Sequence, residues 1–360
     1  MNSDTDTGAK AGTAIVFPGM GPTRFADVAA FMLGDPGARR LFERAGDALG
    51  YSPVERFRDS GDDYTEAAQV AFMVNCLALA EWAERELGVE PEVCAGPSFG
   101  GKAATAYSGA LSFEDAVRTT AALARCTAGY FAREHTDIVT HSFVRVPEPR
   151  LKELLAELDE HDEWYDLSCR VDHDFHMLSL RERRVEWLQG RVRSMGGLSL
   201  YTMRPPMHSA AFEPLRRLAA REVLDGLDFA DPRLPVVDDH DGTVLTTGDG
   251  VRTMLLDGFV RALRWPDVVD TLRGLGVARV CVAGQDSLFG RVPVTTRNFT
   301  VVPVNPRVVA APRPGSRPAS SSPSRPVPQS GSQSVPQSGS QSGSQPGSQP
   351  GSRPVRPSGA

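Results

Sequence analysis

Short apolar runs and longer segments of helical periodicity alternate along the first third of the chain. The apolar run at residues 13–17 ends in a Pro-Gly turn, which is typical of a buried parallel strand. The helical segment at residues 65–87 is apolar on most sides, so we expect it to pack deep in the core. A second apolar run, PEVCAG, precedes a further helical segment. This alternation predicts an α/β fold with a mostly parallel sheet covered by helices on both faces.

The pattern changes between residues 132 and 204. Strand-like segments flank two amphipathic helical segments there, in the order β-α-β-(β)-α-β, which is typical of a small ferredoxin-like unit. The apolar runs and longer helical segments resume afterwards, and residues 250–276 read as helices. We therefore predict a large α/β subdomain made of residues 13–131 and 205–310, with a ferredoxin-like small subdomain, residues 132–204, inserted into it.

The two ends of the chain contain almost nothing apolar to bury. Residues 1–12 are polar and acidic, unlike a secretory signal, and residues 311–360 consist mainly of Pro, Ser, Gly, Gln and Arg. Both compositions predict disordered segments. No apolar run approaches the roughly 18 residues that cross a bilayer. We therefore expect a cytoplasmic protein with no membrane partner.

The charge and the cysteine and histidine spacing exclude further classes of function. The chain has a formal charge of −6, and because residues 311–360 contain five Arg and no acid, the rest of the chain carries −11. An acidic body argues against a nucleic-acid-binding protein. The five Cys form no C-x-x-C pair, and the seven His show no H-E-x-x-H spacing. These patterns predict reduced thiols, no disulfide framework and no metal site.

The sequence GPSFGG, at the end of the second apolar run, contains the pattern G-x-S-x-G with Ser98 at its centre. In this pattern the two glycines allow a tight strand-to-helix turn that presents the serine hydroxyl. The N–H of Phe99 would then lie at a helix N-terminus, where it can stabilise a developing oxyanion. The predicted strand before it and helix after it favour a nucleophile. A glycine-rich turn that only brings the helix close to the strand is the alternative.

A serine nucleophile needs a general base at neutral pH. His208, in RPPMHSAAF, follows the last predicted strand of the insertion and precedes a helix, where the chain re-enters the large subdomain. This position makes it the preferred candidate. His240, which has acidic neighbours in VVDDHDG, is a weaker candidate, as are His135 and His141 at the start of the insertion.

Five short blocks resemble, in the same order, those of the malonyl-CoA:acyl-carrier-protein transacylases, a family that includes the acyltransferase domains of polyketide synthases. The blocks are FPGMG, GPSFGG, MHS, RW and VCVAGQDSLFG, and the resemblance covers about residues 13–305. It implies an α/β-hydrolase-like large subdomain, no bound cofactor and a ping-pong reaction. Ser98 would be the nucleophile and His208 the base, held by a backbone carbonyl. The backbone amides of Met20 and Phe99 would form the oxyanion hole.

The chain departs from the malonyl enzymes of this family at the acyl pocket. Those enzymes have an Arg 25 residues after the serine that binds the substrate carboxylate, and Leu123 occupies that position here. An apolar side chain would leave a buried carboxylate unpaired. Arg118 and Arg125 lie at other angles around the helix and should face elsewhere. Pro97 and Met207 also depart from the family pattern beside the serine and histidine, so we place them with Leu123 in the acyl pocket.

We therefore expect a neutral or larger acyl group. The chain resembles a stand-alone branch of the family that moves aminoacyl or dipeptidyl groups between acyl carrier proteins in macrolactam pathways, a form of polyketide antibiotic biosynthesis. Phosphopantetheine arms of the carriers would hold the donor and acceptor groups. Three alternatives stay open: a malonyl-CoA transacylase whose Arg comes from another position, a hydrolase that proofreads carrier-bound acyl groups, and a scaffold that binds carriers without catalysis.

Carrier proteins are acidic, so an acidic enzyme needs local basic patches to receive them. The insertion and its surroundings are rich in Arg. The candidate carrier-binding residues are Arg145, Arg150, Arg181, Arg184, Arg204 and Arg291.

Overall fold

The computed structural model describes residues 12–61 and 63–310. The segments predicted to be disordered, residues 1–12 and 311–360, lie outside the described residues except for Gly12, which begins the first strand. Within the described ranges, no helix combines the length and apolar character that a membrane crossing requires.

The order of elements follows the predicted alternation. The strands are β1 (Gly12–Val16), β2 (Val93–Ala95), β3 (Ile138–Val144), β4 (Tyr165–Asp172), β5 (Phe175–Arg181), β6 (Leu198–Met203), β7 (Val236–Val237), β8 (Val244–Leu245), β9 (Leu263–Arg264), β10 (Val277–Ala283) and β11 (Thr300–Val304). The α-helices are α1 (Phe25–Gly34), α2 (Pro36–Leu49), α3 (Pro53–Arg58), α4 (Glu66–Leu87), α5 (Gly100–Tyr107), α6 (Phe113–Phe131), α7 (Glu148–Glu160), α8 (Val185–Ser194), α9 (Glu213–Glu222), α10 (Gly248–Asp257), α11 (Trp265–Gly274), α12 (Pro293–Thr296) and α13 (Pro306–Ala310).

Six strands form the sheet of the large subdomain, in the order β11-β10-β1-β2-β7-β8. Neighbouring strands are parallel except for β7 and β8. Every residue of β1 is buried, as its unbroken apolar run predicts. Helix α4 begins after Thr65, whose hydroxyl accepts the N–H of Ala68, and most of its length is buried in the core. The predicted α/β fold with a mostly parallel sheet is confirmed.

The small sheet has the strand order β6-β3-β5-β4, with antiparallel neighbours, and helices α7 and α8 join its strands in the ferredoxin-like sequence. Strand β9 adds to this sheet beside β4, in parallel. The prediction of helices throughout residues 250–276 is therefore wrong at β9. The physical reason is Pro266: a proline can stand in the first turn of α11, but it cannot continue a helix from the preceding residues.

The carboxyl ends of β1, β2 and β7 meet at one edge of the large sheet because these strands are parallel neighbours. The segments that follow them carry Met20, Ser98 and Asp239. This edge is the place where ligands bind in open α/β sheets. The fold therefore brings the conspicuous loop residues of the sequence to one cleft.

Candidate active site

Ser98 lies on a tight turn between β2 and α5. Its φ of 54° falls in the left-handed region, which residues other than glycine rarely adopt. Both neighbouring glycines are required: a Cβ on Gly96 would overlap the carbonyl group of Gly100, and a Cβ on Gly100 would overlap that of Phe17. The turn therefore has the geometry of a nucleophile elbow, with an exposed serine at its tip.

The hydroxyl of Ser98 contacts the imidazole of His208. Ser98 Oγ lies 2.9 Å from His208 Nε2, although the two residues are 110 positions apart. The neighbouring Ser209 anchors the histidine: its N–H donates to the carbonyl oxygen of Phe259 at 3.1 Å, and its hydroxyl donates to the carboxylate of Asp166 at 2.6 Å. These bonds tie the histidine segment to both subdomains and hold the ring against the elbow.

The ring of His208 is held in the unprotonated form that a general base requires. Burial lowers the pKa of His208 to about 3, and His240 acts in the same direction, while the backbone carbonyl of Arg261 favours the protonated form. Within the described residues, Nδ1 makes no hydrogen bond of standard geometry. The arrangement is thus a Ser–His dyad without a carboxylate on the second ring nitrogen, and its base is neutral at neutral pH.

A buried carboxylate supports the backbone of the elbow. Asp239 Oδ2 accepts the N–H of Ser98 at 2.6 Å. Burial raises the pKa of Asp239 above its usual value. Sequence reasoning missed this residue as a site residue. The available signal was its position directly after β7, the parallel neighbour of β2, on which the elbow stands.

His240 lies beside Asp239 beneath the elbow and does not contact the hydroxyl of Ser98. Its Nδ1 lies 2.6 Å from Asp238 Oδ1, and its ring centre lies 6.5 Å from that of His208. Burial alone would lower the pKa of His240, yet Asp239 and Asp238 together raise it above its usual value. Ligand atoms of these three residues lie within 4.8 Å of one another. Each carboxylate already accepts a protein donor, so the cluster forms a hydrogen-bond network under the elbow.

A cavity of about 140 Å³ opens beside the dyad. Two of the predicted acyl-pocket residues, Leu123 and Met207, line it, and the structure brings them together with Ser98. Pro97 does not line this cavity, because the residue before the nucleophile is buried under the turn, where its carbonyl accepts the N–H of Gly100. The other apolar side chains in the wall are Met20, Phe99, Met203, Pro205, Met254, Leu255 and Phe259.

A second, smaller cavity of about 70 Å³ reaches the dyad from another side. It lies between the two sheets and is lined by residues of the small subdomain such as Thr140, Ser168 and Tyr201. Ser98 and His208 line both cavities. The dyad can therefore be approached by two parts of one substrate at once.

Two backbone amides flank the serine as the resemblance implies. Met20 lines both cavities beside Ser98, and Phe99 stands at the N-terminus of α5. In the described part of the chain, neither N–H donates a hydrogen bond to a protein acceptor. Both amides are free to bind an oxyanion, and their role in catalysis stays a prediction.

Most of the candidate carrier-binding arginines are engaged with acidic side chains of the chain itself. Arg145 and Arg291 are exposed and form no ion pair with another described residue. The remaining four pair as follows: Arg150 with Glu153, Arg181 with Asp137, Arg184 with Glu163, and Arg204 with Glu182.

Sequence comparison finds one matching family model and several curated relatives. Residues 142–203 match the family model of the VinK acyltransferase small domain. The chain is 24% identical over 300 residues to the malonyl CoA-acyl carrier protein transacylase of Bacillus subtilis, covering 81% of this chain and 73% of the relative. It is 26% identical over 270 residues to a probable mitochondrial malonyl-CoA-acyl carrier protein transacylase of Drosophila melanogaster, covering 70% of each.

Solved structures are similar over most of both chains. FabD from Acinetobacter baumannii matches with a TM-score of 0.73 and 19% identity, covering 82% of this chain and 95% of that one. The acyltransferase domain of the second module of the salinomycin polyketide synthase matches with a TM-score of 0.69 and 25% identity, covering 82% and 69%. PlMCAT, in a complex of a type II polyketide synthase acyl-carrier protein with its malonyl-transacylase, matches with a TM-score of 0.71 and 21% identity, covering 82% and 96%.

Proposed function

We infer that the chain is an acyltransferase of the malonyl-CoA:acyl-carrier-protein transacylase and polyketide acyltransferase family. The observation that carries this inference is the 2.9 Å contact between Ser98 Oγ and His208 Nε2 on a nucleophile elbow. The similarity to malonyl transacylases over most of the chain adds to it. An exposed serine, a neutral base and free backbone amides support covalent acyl transfer.

In the proposed first half-reaction, Ser98 Oγ attacks the carbonyl carbon of an acyl thioester while His208 Nε2 accepts the hydroxyl proton. The amides of Met20 and Phe99 stabilise the oxyanion. Collapse of the tetrahedral intermediate breaks the C–S bond, and the leaving thiolate takes the proton from His208. The acyl group is then held as an ester on Ser98.

In the second half-reaction, an acceptor thiol gives its proton to His208 and attacks the ester carbonyl. The C–O bond to Ser98 breaks, and the serine oxygen recovers the proton from His208. Because the same atoms act in reverse, a single dyad serves both halves. These steps need no group beyond the thiol that carries the acyl chain.

We propose acyl carrier proteins as the partners and their phosphopantetheine thiols as the carriers of the acyl group. The relatives are acyl-carrier-protein transacylases by name, and PlMCAT is seen with its carrier protein. The cavity between the two sheets offers a route by which a pantetheine arm reaches Ser98, while the larger cavity holds the acyl group. Arg145 and Arg291 are the candidates with charge still available to an acidic carrier, because no described acid neutralises them.

Malonyl is the acyl group that the relatives' names favour. A second candidate is a non-dicarboxylic group, aminoacyl or dipeptidyl, passed between carrier proteins in macrolactam biosynthesis. The observation that favours it is Leu123, which presents an apolar wall to the cavity where an Arg would pair with a carboxylate.

The test is intact-mass measurement of the enzyme after mixing with malonyl-CoA or with aminoacyl-loaded carrier protein. We expect an adduct of the mass of the acyl group that is absent in Ser98→Ala and that moves to an unloaded carrier protein added afterwards. The thioester that loads fastest identifies the acyl class.

Three other results would change the conclusion. An adduct that is released as free acid, with no acceptor labelled, favours a hydrolase. Carrier binding without any adduct favours a scaffold. Loading that persists in Ser98→Ala overturns the assignment of the nucleophile.

A further inference from the structure

Lys102 stands one helical turn after Ser98 on α5 and lines the same cavity as Leu123. Its Nζ lies 4.0 Å from the centre of the Phe99 ring and 3.5 Å from Gln69 Oε1, which is too long for a strong hydrogen bond. Burial lowers the pKa of Lys102 to about 7, and no neighbouring carboxylate offsets that effect. An ammonium group thus lies in a largely apolar wall with a ring face as its main partner.

Arg204 in the cavity wall and the arginines of α6 are already paired. The guanidinium of Arg204, which also lines the cavity, pairs with Glu182 and donates to the carbonyl of Thr136. On α6, Arg118 pairs with Asp115 at 3.0 Å and Arg125 with Glu66 at 2.9 Å. Of the cavity cations in the described ranges, Lys102 is the one whose charge has no acidic partner.

We propose that Lys102 binds the free carboxylate of a dicarboxylic acyl group and so determines acyl specificity, an inference that rests on the acyltransferase function above. A partly buried ammonium in an apolar wall, without a counter-ion, gains from an anionic ligand, since the two charges attract more strongly there than in bulk water. Helices α5 and α6 pack together beside the cavity. Because Lys102 on α5 and Leu123 on α6 line the same cavity, the cation for an acyl carboxylate would come from α5 and not from the position of Leu123.

Loading should depend on pH through the protonation of Lys102. The ionisable groups that face the same cavity are Tyr64, Arg204, His208 and Asp239. The ratio of malonyl loading to acetyl loading cancels their effects on the chemical step, because both thioesters use the same dyad. The carboxylate needs a protonated Lys102, and burial lowers the pKa of Lys102 in the unliganded protein to about 7, so this ratio should fall above pH 7, approaching tenfold per pH unit.

The experiment measures single-turnover acylation of Ser98 by malonyl-CoA and by acetyl-CoA, with intact-mass detection. The variants are Lys102→Met, which keeps the length without the charge, and Lys102→Arg, which restores a cation. Lys152→Met is the matched control, since Lys152 is an exposed lysine on α7 paired with Glu148. Circular dichroism checks that each variant is folded.

We expect Lys102→Met to lower the malonyl-to-acetyl ratio about 10- to 100-fold, the loss of a charge-assisted hydrogen bond. Lys102→Arg should recover part of the ratio, and Lys152→Met should not change it. An unchanged ratio in Lys102→Met overturns the role of Lys102, as does wild-type enzyme that loads aminoacyl groups and rejects malonyl. Either result leaves the acyltransferase function standing. If no thioester forms an adduct on Ser98, both the acyltransferase function and the role of Lys102 are overturned.

Discussion

At the scale of single residues, the site depends on backbone conformations that few residue types allow. Ser98 and His208 both have positive φ, 54° and 61°, so each side of the dyad is presented from a strained backbone. The strain at Ser98 is tolerated because Gly96 and Gly100 let β2, α5 and the segment after β1 approach closely.

Substituting Gly96 by Ala should remove activity and stability together. The added Cβ overlaps the backbone of Gly100, which cannot move without displacing Ser98. We expect a loss of about 1–3 kcal/mol in the free energy of unfolding and no detectable Ser98 adduct. Denaturant titration measures the free energy of unfolding, and intact-mass detection measures the Ser98 adduct. Gly190→Ala is the control: its Cβ meets nothing within 4 Å on α8, and stability should stay equal or rise.

The low pKa of His208 predicts an unusual pH profile. A general base must be unprotonated, so its activity is lost only as pH falls through its pKa, and here burial lowers that pKa to about 3. Acylation by an uncharged acetyl thioester, with no carboxylate to engage Lys102, should therefore stay nearly constant from pH 8 down to pH 5. A fall in rate with a midpoint between pH 6 and 7 would show that the ring has an ordinary pKa.

At the scale of elements, the loop after β7 supports the loop after β2. Asp239 accepts the N–H of Ser98, and Asp238 fixes the neighbouring His240. The two loops are adjacent because their strands pair in parallel, with Ala95 opposite Val237. The nucleophile is thus positioned by a segment about 140 residues later in the chain, and the elbow alone does not fix it.

Removing this support should slow the chemical step more than it weakens substrate binding. In Asp239→Ala the N–H of Ser98 loses its acceptor, and an unsatisfied buried donor costs about 1–3 kcal/mol. We expect kcat to fall at least tenfold with KM within about threefold, measured by transfer to a carrier protein. Asp270→Ala, which removes an exposed partner of Arg273, is the control and should leave both constants unchanged. Equal changes in kcat and KM would argue against a positioning role.

At the scale of the whole molecule, the two sheets are joined by shared elements. Strand β9 continues the small sheet from within the large subdomain. Asp172, buried at the end of β4, accepts the N–H of Val294 in α12 at 3.0 Å. The dyad lies between the sheets, so its geometry depends on this junction.

Because the junction between the two subdomains is buried, we expect both subdomains to unfold together in one cooperative transition. Scanning calorimetry of the full chain is expected to show a single peak. Asp172→Ala should shift that peak to lower temperature without splitting it, by a loss of about 1–3 kcal/mol. Glu186→Ala, on the surface of α8, should leave it in place. Two separate peaks in the parent protein would show that the subdomains unfold independently.

The local elements of the chain could be predicted well from its sequence. Apolar runs placed β1 and β2, the segment order placed the ferredoxin-like unit, and glycine spacing placed the turn at Ser98. The two-residue strand β9 was missed because its conformation comes from pairing with Cys169 and Arg170, and nothing in its own residues indicates a strand.

By itself, the sequence determined the features that arise from sterics within a few residues: the elbow, the long buried helix α4 and the alternation of strands and helices. The family resemblance already paired His208 with Ser98, but only the tertiary structure gave their 2.9 Å contact, the place of Asp239 beneath the nucleophile, and the cavity that Lys102 shares with Leu123. The physical reason is that these contacts join segments distant in the chain or on separate helices. Their distances are set by how the two sheets and their helices pack, which no local pattern records.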